Sequence, residues 1–215
     1  MRNLNTLQIA VIIAFVSAFG SFLWTGAGAQ GQSQSIETAE NTEVAVFAGG
    51  CFWCVESDFD KVDGVLSTVS GYAGGETQDP TYKSHAADRH LEVVEVTFDA
   101  DVVSYEELVG FFFRHIDPTD AGGQFCDRGH SYTSAIFAQT SEQAEIARSE
   151  IDTIEALGIL PGRILTPIRG DDVVYPAEDY HQNYYQKNPL KYQYYRRACG
   201  RDARVADVWS MDVEG

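Results

Sequence analysis

Basic side chains are scarce in this chain of 215 residues: 15 Lys and Arg stand against 32 Asp and Glu, for a formal charge of −17. Such a surface repels a phosphate backbone at neutral pH and argues against nucleic acid as a partner. Cysteine is limited to four positions, and only Cys51 and Cys54 form a C-x-x-C pair. A structural zinc module more often shows two such pairs, so the single pair argues against a zinc-binding interaction domain and no metal is expected. No internal repeat is present. With 44% hydrophobic and 22% charged residues, the composition is that of a globular protein and excludes disorder, collagen and a bare coiled coil.

The chain has one long apolar run, Ile9 to Trp24. Arg2 precedes it and Ala27-Gly28-Ala29 follows it, the order of a secretory signal peptide with a small-residue cleavage site. An uncleaved membrane anchor is the competing reading, but the run is on the short side of the roughly 20 residues a bilayer needs. The expected organisation is a signal peptide over 1–29, a flexible polar leader over 30–42, one catalytic-size domain over 43–209 and a short tail over 210–215. Export to a periplasm or the extracellular space follows, with membrane contact only if the signal stays uncleaved.

From Glu43 onward, strand and helix signals alternate. Val44 to Ala48 is a short apolar run closed by Gly49-Gly50, and the helical segment from Cys51 to Val62 stops at Asp63-Gly64. Glu92 to Phe98 is rich in β-formers. Ser104 to His115 opens on Ser104 with Glu107 three residues on, a capping box. Tyr132 to Gln139 and Ile164 to Ile168 read as strands, with an amphipathic helix over Ser141 to Leu157 between them. The class is α/β or α+β, a sheet covered by helices.

In an exported protein the four cysteines could form two structural disulfides. A domain of this size does not need them, and a pair at a helix start is a poor place for a structural staple. The placement favours a reactive thiol instead. Gly49-Gly50 turns the chain tightly off the strand and leaves Cys51 where the helix presents unpaired N–H groups and the positive end of its dipole, a setting that favours thiolate. Cys51 is the candidate nucleophile. Cys54, one turn along, is either a resolving thiol or a buried small hydrophobe, and closing Cys51 onto Cys54 within an intact helical turn would be strained. Phe52 and Trp53 beside the nucleophile are either core or an aromatic wall for a small apolar substrate group, each buried CH₂ being worth about 0.8 kcal/mol. Strand alternation puts Glu92 on one face with Val94, Val96 and Phe98, where a buried carboxyl would hold its proton and could deliver it to a substrate oxygen. The opposite phase, with Leu91 and Val93 in the core, is equally compatible with the pattern. A thioredoxin-like thiol–disulfide oxidoreductase is the alternative that a strand, a turn and a C-x-x-C pair suggest.

Gly49-Gly50-Cys51-Phe52-Trp53 resembles the signature of the peptide methionine sulfoxide reductase A family. Further blocks resemble that family in order: Gly71-Tyr72-Ala73-Gly74-Gly75, Asp79-Pro80-Thr81-Tyr82, His90-Leu91-Glu92, Asp117-Pro118-Thr119, Tyr132-Thr133-Ser134-Ala135-Ile136, Ala177-Glu178-Asp179-Tyr180-His181-Gln182 and Lys187-Asn188-Pro189. The resemblance runs from about Val44 to Trp209. It implies a two-layer α/β plait, a ferredoxin-like mixed sheet covered by helices, and reduction of methionine S-sulfoxide, free or in oxidised proteins.

The resemblance also implies roles. Cys51 attacks the sulfoxide sulfur, Glu92 protonates its oxygen, Tyr82 and Tyr132 hydrogen-bond that oxygen, and Phe52 and Trp53 hold the S-methyl group. Asp127, His181 and Tyr184 border the substrate. Cys51 is left as a sulfenic acid, which Cys199 resolves, with Cys54 and Cys126 as alternatives. The disulfide is then passed to a thioredoxin-like protein or another dithiol; no bound cofactor is implied, and a monomer is expected. Arg89, Leu91, Ser131 and Thr133 stand where the family usually has Gly, Ala, Gln and Arg.

Overall fold

The computed structural model describes residues 41–210. The expected signal peptide, nearly all of the leader and the last five residues of the tail lie outside the described residues. In chain order the elements are β1 (Thr42–Gly49), α1 (Phe52–Phe59), β2 (Val65–Ala73), β3 (Leu91–Asp99), α2 (Tyr105–Phe113), β4 (Gly123–Gln124), β5 (Asp127–Arg128), a single 3₁₀ turn (His130–Tyr132), β6 (Ser134–Phe137), α3 (Ser141–Leu157), β7 (Ile168–Arg169), β8 (Tyr175–Pro176), α4 (Tyr184–Lys187), α5 (Pro189–Cys199) and α6 (Arg201–Trp209).

Six strands form one mixed sheet in the order β7-β6-β1-β3-β2-β8, while β4 and β5 make a separate small hairpin. All neighbours are antiparallel except β6 and β7. β1 and β3 lie at the centre, so both of their faces are covered and neither shows the apolar-in, polar-out alternation of a half-exposed strand. On one face Ala45, Phe47, Val94, Val96 and Phe98 pack with Val55 and Phe59 of α1, Leu108 and Phe112 of α2, and Ala147 and Ile154 of α3. On the other, Val46, Ala48, Leu91, Val93, Ala135 and Phe137 form a smaller cluster. Phe47 anchors the larger one, stacking on Phe59 at 5.0 Å and on Phe112 at 4.9 Å. Deleting a buried aromatic of this kind costs about 3–5 kcal/mol.

Local signals explain the helix ends. The Ser104 hydroxyl accepts the Glu107 N–H at 3.2 Å while the Glu107 carboxylate accepts the Ser104 N–H at 2.8 Å, the expected capping box. α3 starts behind a Thr140 cap and ends at Gly158 in the left-handed region, φ 64°.

Three boundaries differ from the sequence reading. The first helix stops at Phe59 rather than Val62. Tyr132 lies in the 3₁₀ turn and β6 begins at Ser134, because Gly129 at φ 111° turns the chain before it can join the sheet. Of the expected 164–168 strand only Ile168 pairs, and the strand continues to Arg169, alongside Ile136 and Phe137. Among the described residues, no helix is long and apolar enough to cross a membrane.

Candidate active site

The site forms where β1 runs into α1. Gly50 makes the turn at φ 85°, and a Cβ there would stand 2.6 Å from the Gln124 Cβ, so only glycine fits without displacing the β4–β5 hairpin. Cys51 is the N-cap of α1, with φ −54° and ψ 119°, and its carbonyl accepts the Cys54 N–H at 3.0 Å. It lies just outside the helical turn rather than inside it. Cys51 itself is thus not helical, while Cys54 lies in the first turn of α1.

The expected thiolate is corrected. Cys51 is 6% exposed, and burial pushes its thiol well above the ordinary cysteine range, with the hydrogen bond it makes to Cys54 and the nearby Glu92 adding to the effect. Cys54 moves the other way: it takes the hydrogen bond from Cys51 and faces the Arg201 and Arg196 guanidinium groups, which together outweigh its own burial. Of the two, Cys54 is the thiol more easily deprotonated, with the Cys51 thiol donating to it.

Glu92, 2% exposed, lies on the face that also carries Val94, Val96 and Phe98. Leu91 and Val93 are buried too, on the opposite face, so the two phases left open by the sequence both lead into a core. The Phe52 N–H donates to Glu92 Oε2 at 2.9 Å, which ties the carboxyl to the residue next to the nucleophile. Burial outweighs that bond and pushes the carboxyl up to about 8, so Glu92 is protonated at neutral pH. His85 stands 3.8 Å from Glu92 Oε1 through its Nε2. Its Nδ1 lies 2.9 Å from the Tyr82 carbonyl, which can only accept, so Nδ1 carries the hydrogen. Burial keeps this ring neutral.

Tyr82 and Tyr132 face the same space. Their side chains are hydrogen-bonded to each other, and both hydroxyls sense Glu92 and Cys51, with burial the main cause of their raised pKa. Tyr82 is held by its N–H, which donates to Glu178 Oε1 at 3.0 Å, and the Tyr72 hydroxyl donates to Oε2 of the same carboxylate. Both shifts favour the protonated phenol, the form that can donate.

The aromatic wall is continuous. Trp53 stacks on Tyr184 with ring centroids 3.7 Å apart and planes 7° from parallel, and its indole N–H donates to His181 Nδ1 at 3.0 Å. His181 packs in turn against Phe52 and Tyr82. Phe52 itself is fully buried, so it backs the wall while the half-buried Trp53 faces outward.

Cys126 and Cys199 are bonded to each other. The sequence reading set Cys199 against Cys51; here its sulfur is already taken by Cys126, and Cys54 is the free thiol next to the nucleophile. The four cysteines divide into a buried inner pair and an outer pair whose Cys126 is exposed. Tyr195 joins the two: its hydroxyl donates to Asp127 Oδ2 and stands within reach of the Cys51 sulfur, and the Asp127 carboxylate lies 3.8 Å from each outer sulfur. Cys126, Asp127 and Cys199 are the one group among the described residues close enough to share a metal ion, and their two sulfurs are spent on each other.

Comparison with known proteins agrees with this geometry. Residues 43–213 match the family model described as peptide methionine sulfoxide reductase. The chain belongs to the peptide methionine sulfoxide reductase family. This reductase is 54% identical over 171 residues to peptide methionine sulfoxide reductase MsrA 2 of Rhizobium meliloti, covering 80% of the present chain and 85% of the relative. It is 45% identical over 173 residues to the MsrA of Bacillus subtilis, covering 80% and 98%. Among solved structures, methionine sulfoxide reductase A of Corynebacterium diphtheriae superposes with a TM-score of 0.60 at 33% identity, covering 70% of this chain and 77% of that one. The reductase is thus a thiol-dependent oxidoreductase acting on methionine sulfoxide, and the thioredoxin-like alternative is not favoured.

The sequence reading gave no role to Tyr195, Arg201, His85 or Glu178. Arg201 is 2% exposed; it donates to the Gly49 carbonyl at 3.1 Å and to the His115 carbonyl at 2.9 Å, and stands 4.8 Å over the Phe125 ring. A tyrosine-rich run ending in Arg196-Arg197, next to Cys199, is the signal that could have pointed to Tyr195 and Arg201. Arg89, where the family usually has glycine, sits at φ 62°, which accounts for a glycine preference at that place.

Proposed function

We propose that the Cys51 thiol reduces the S epimer of methionine sulfoxide, free or in oxidised proteins, in a cleft walled by Trp53 and Tyr184. The observation that carries this reading is the convergence on Cys51 of a protonated buried carboxyl, two phenol donors and a second thiol whose pKa is lowered by the Cys51 hydrogen bond and two guanidinium groups.

As Cys51 sulfur bonds to the sulfoxide sulfur, its proton passes to Cys54 and the Glu92 proton passes to the sulfoxide oxygen. Tyr82 and Tyr132 donate to that oxygen as it gains charge, and a preorganised donor of this kind is worth about 10²–10³ in rate. The hydroxyl moves from the substrate sulfur to the Cys51 sulfur as the S–O bond and the new S–S bond break, methionine leaves, and Cys51 is left as a sulfenic acid. Cys54 then attacks the Cys51 sulfur; its proton and the hydroxyl leave as water, and an inner disulfide remains.

Cys54 takes the resolving role here because it is the free thiol hydrogen-bonded to Cys51. The outer pair returns the electrons. An external dithiol, of the thioredoxin kind, reduces the Cys126–Cys199 bond at exposed Cys126; one outer thiolate attacks the inner disulfide, and the second displaces it, leaving Cys51 and Cys54 as thiols and the outer bond closed. Inner thiols free and outer pair bonded is the arrangement described above. Export, read from residues 1–29, is part of the proposal, and an oxidising compartment is where an exposed disulfide persists.

The test is a single turnover without reductant, starting from fully reduced protein and one equivalent of methionine S-sulfoxide, followed by disulfide mapping at early times. A Cys51–Cys54 bond preceding Cys126–Cys199 supports the reading. A first bond between Cys51 and Cys199 would return the resolving role to Cys199.

A further inference from the structure

Glu56 is wholly buried, yet the chemistry above does not use it. It lies on α1 one turn after Trp53, with Cys54 and Val55 between them. Its Oε1 accepts the Asn183 N–H at 3.0 Å, and the carboxylate also takes a hydrogen bond from the Tyr184 N–H. Its Oε2 has no partner. The two amides belong to the start of α4, a single short turn in which Asn183 holds φ 52°, a left-handed conformation that a non-glycine residue keeps only when its surroundings enforce it. No side chain of α4 is buried, so α4 has little core packing to hold it in place.

Tyr184 follows directly, and it is the ring stacked on Trp53. His181, two residues before Asn183, accepts the Trp53 indole N–H. The segment over 181–184 therefore touches α1 at three places: ring on ring, imidazole on indole, and two backbone amides on one carboxylate. The first two fix the Trp53 ring only if the segment itself is fixed.

We infer that Glu56 is a positioning residue for substrate recognition, its buried carboxylate anchoring the Asn183 and Tyr184 amides so that Tyr184 and His181 hold Trp53 in the plane that receives the S-methyl group. The inference rests on the reading of Trp53 as that wall. Burial pushes the Glu56 carboxyl up to about 7, a cost set against two backbone amides at the aromatic face of the cleft, in a segment whose other end Gln182 ties to the Ser70 backbone of β2.

The test compares Glu56→Ala, Glu56→Gln and Glu56→Asp with wild type on a blocked methionine S-sulfoxide and on its S-ethyl analogue, with dithiothreitol as reductant. Loss of the acceptor for these two amides predicts that KM rises about tenfold in Glu56→Ala while kcat stays within about threefold. Preference for S-methyl over S-ethyl should narrow. Glu56→Gln keeps an acceptor at the same reach and should restore most of the KM. Glu56→Asp keeps the carboxyl but withdraws it by one methylene; it should reproduce the rise, which keeps the test open if the alanine variant folds poorly. The rate of Cys51 alkylation should be unchanged in all three. An unaltered KM, or a fall in kcat accompanied by altered Cys51 alkylation, overturns the inference. Trp53→Ala, run beside them, separates the two claims: if it leaves KM and the S-methyl preference intact, the wall reading fails first.

Discussion

Replacing Glu92 with glutamine should abolish turnover and, at alkaline pH, make the fold more stable. The carboxyl is pushed from 4.5 to about 8 by burial, so the folded state holds its proton more tightly than the unfolded chain does. For a group raised in this direction, the favourable contribution is fully present below about pH 4.5 and is lost as pH rises through about 8. Each pH unit between those limits is worth about 1.4 kcal/mol, which sets a ceiling of about 5 kcal/mol for the deprotonated carboxylate in this core. Glutamine keeps an oxygen for the Phe52 N–H and carries no charge at any pH. Urea unfolding of wild type and Glu92→Gln at pH 5, 7 and 9 measures the difference. The variant should gain on the wild type as pH rises, by about 2 kcal/mol or more between pH 5 and 9. A difference that stays constant across that range would refute the burial argument and, with it, the assignment of Glu92 as a proton-carrying acid at neutral pH.

The same carboxyl predicts a descending limb in kcat/KM as pH passes about 8, because the acid form is present below that value and lost above it; rates still climbing at pH 9 would contradict the role. Tyr82→Phe and Tyr132→Phe should each lower kcat by about 10²–10³ with little change in KM, since the lost donor acts on charge that develops only during reaction; steady-state kinetics on the S-sulfoxide checks this. Cys126→Ser should retain most turnover with dithiothreitol and lose most of it with a thioredoxin-type protein, because the inner pair is buried while Cys126 is exposed. Equal loss with both reductants would remove the outer pair from the electron path.

Much of this was readable in the sequence because the relevant signals are local. The capping box at Ser104, the seventeen-residue helix over Ser141–Leu157 and the Gly49-Gly50 turn before Cys51 depend on a few consecutive residues, and all are in place. The wall of Trp53, His181 and Tyr184 came from ordered motifs 128 residues apart, which neither periodicity nor spacing alone could have joined. The sequence was a poorer guide wherever one residue acts on another across the fold. A helix start suggested a Cys51 thiolate, but burial raises the Cys51 thiol while the Cys51 hydrogen bond and the guanidinium groups beside Cys54 lower the Cys54 thiol. The pairing of Cys126 with Cys199 spans 73 residues, and no spacing rule chooses among the pairings that four cysteines allow. β2 was missed because its Ser, Thr and Gly residues weaken the alternation, and half of the strand is only partly covered. α4 to α6 carry too few buried residues to print a helical stripe.

The most direct test of the account is turnover of the two methionine sulfoxide epimers by residues 30–215 with excess dithiothreitol, wild type beside Cys51→Ser. Reduction of the S epimer by the wild type, no reduction of the R epimer, and complete loss in Cys51→Ser are the predicted result. Turnover that survives in Cys51→Ser, or that favours the R epimer, would contradict the assignment of the nucleophile and the handedness of the site built around it.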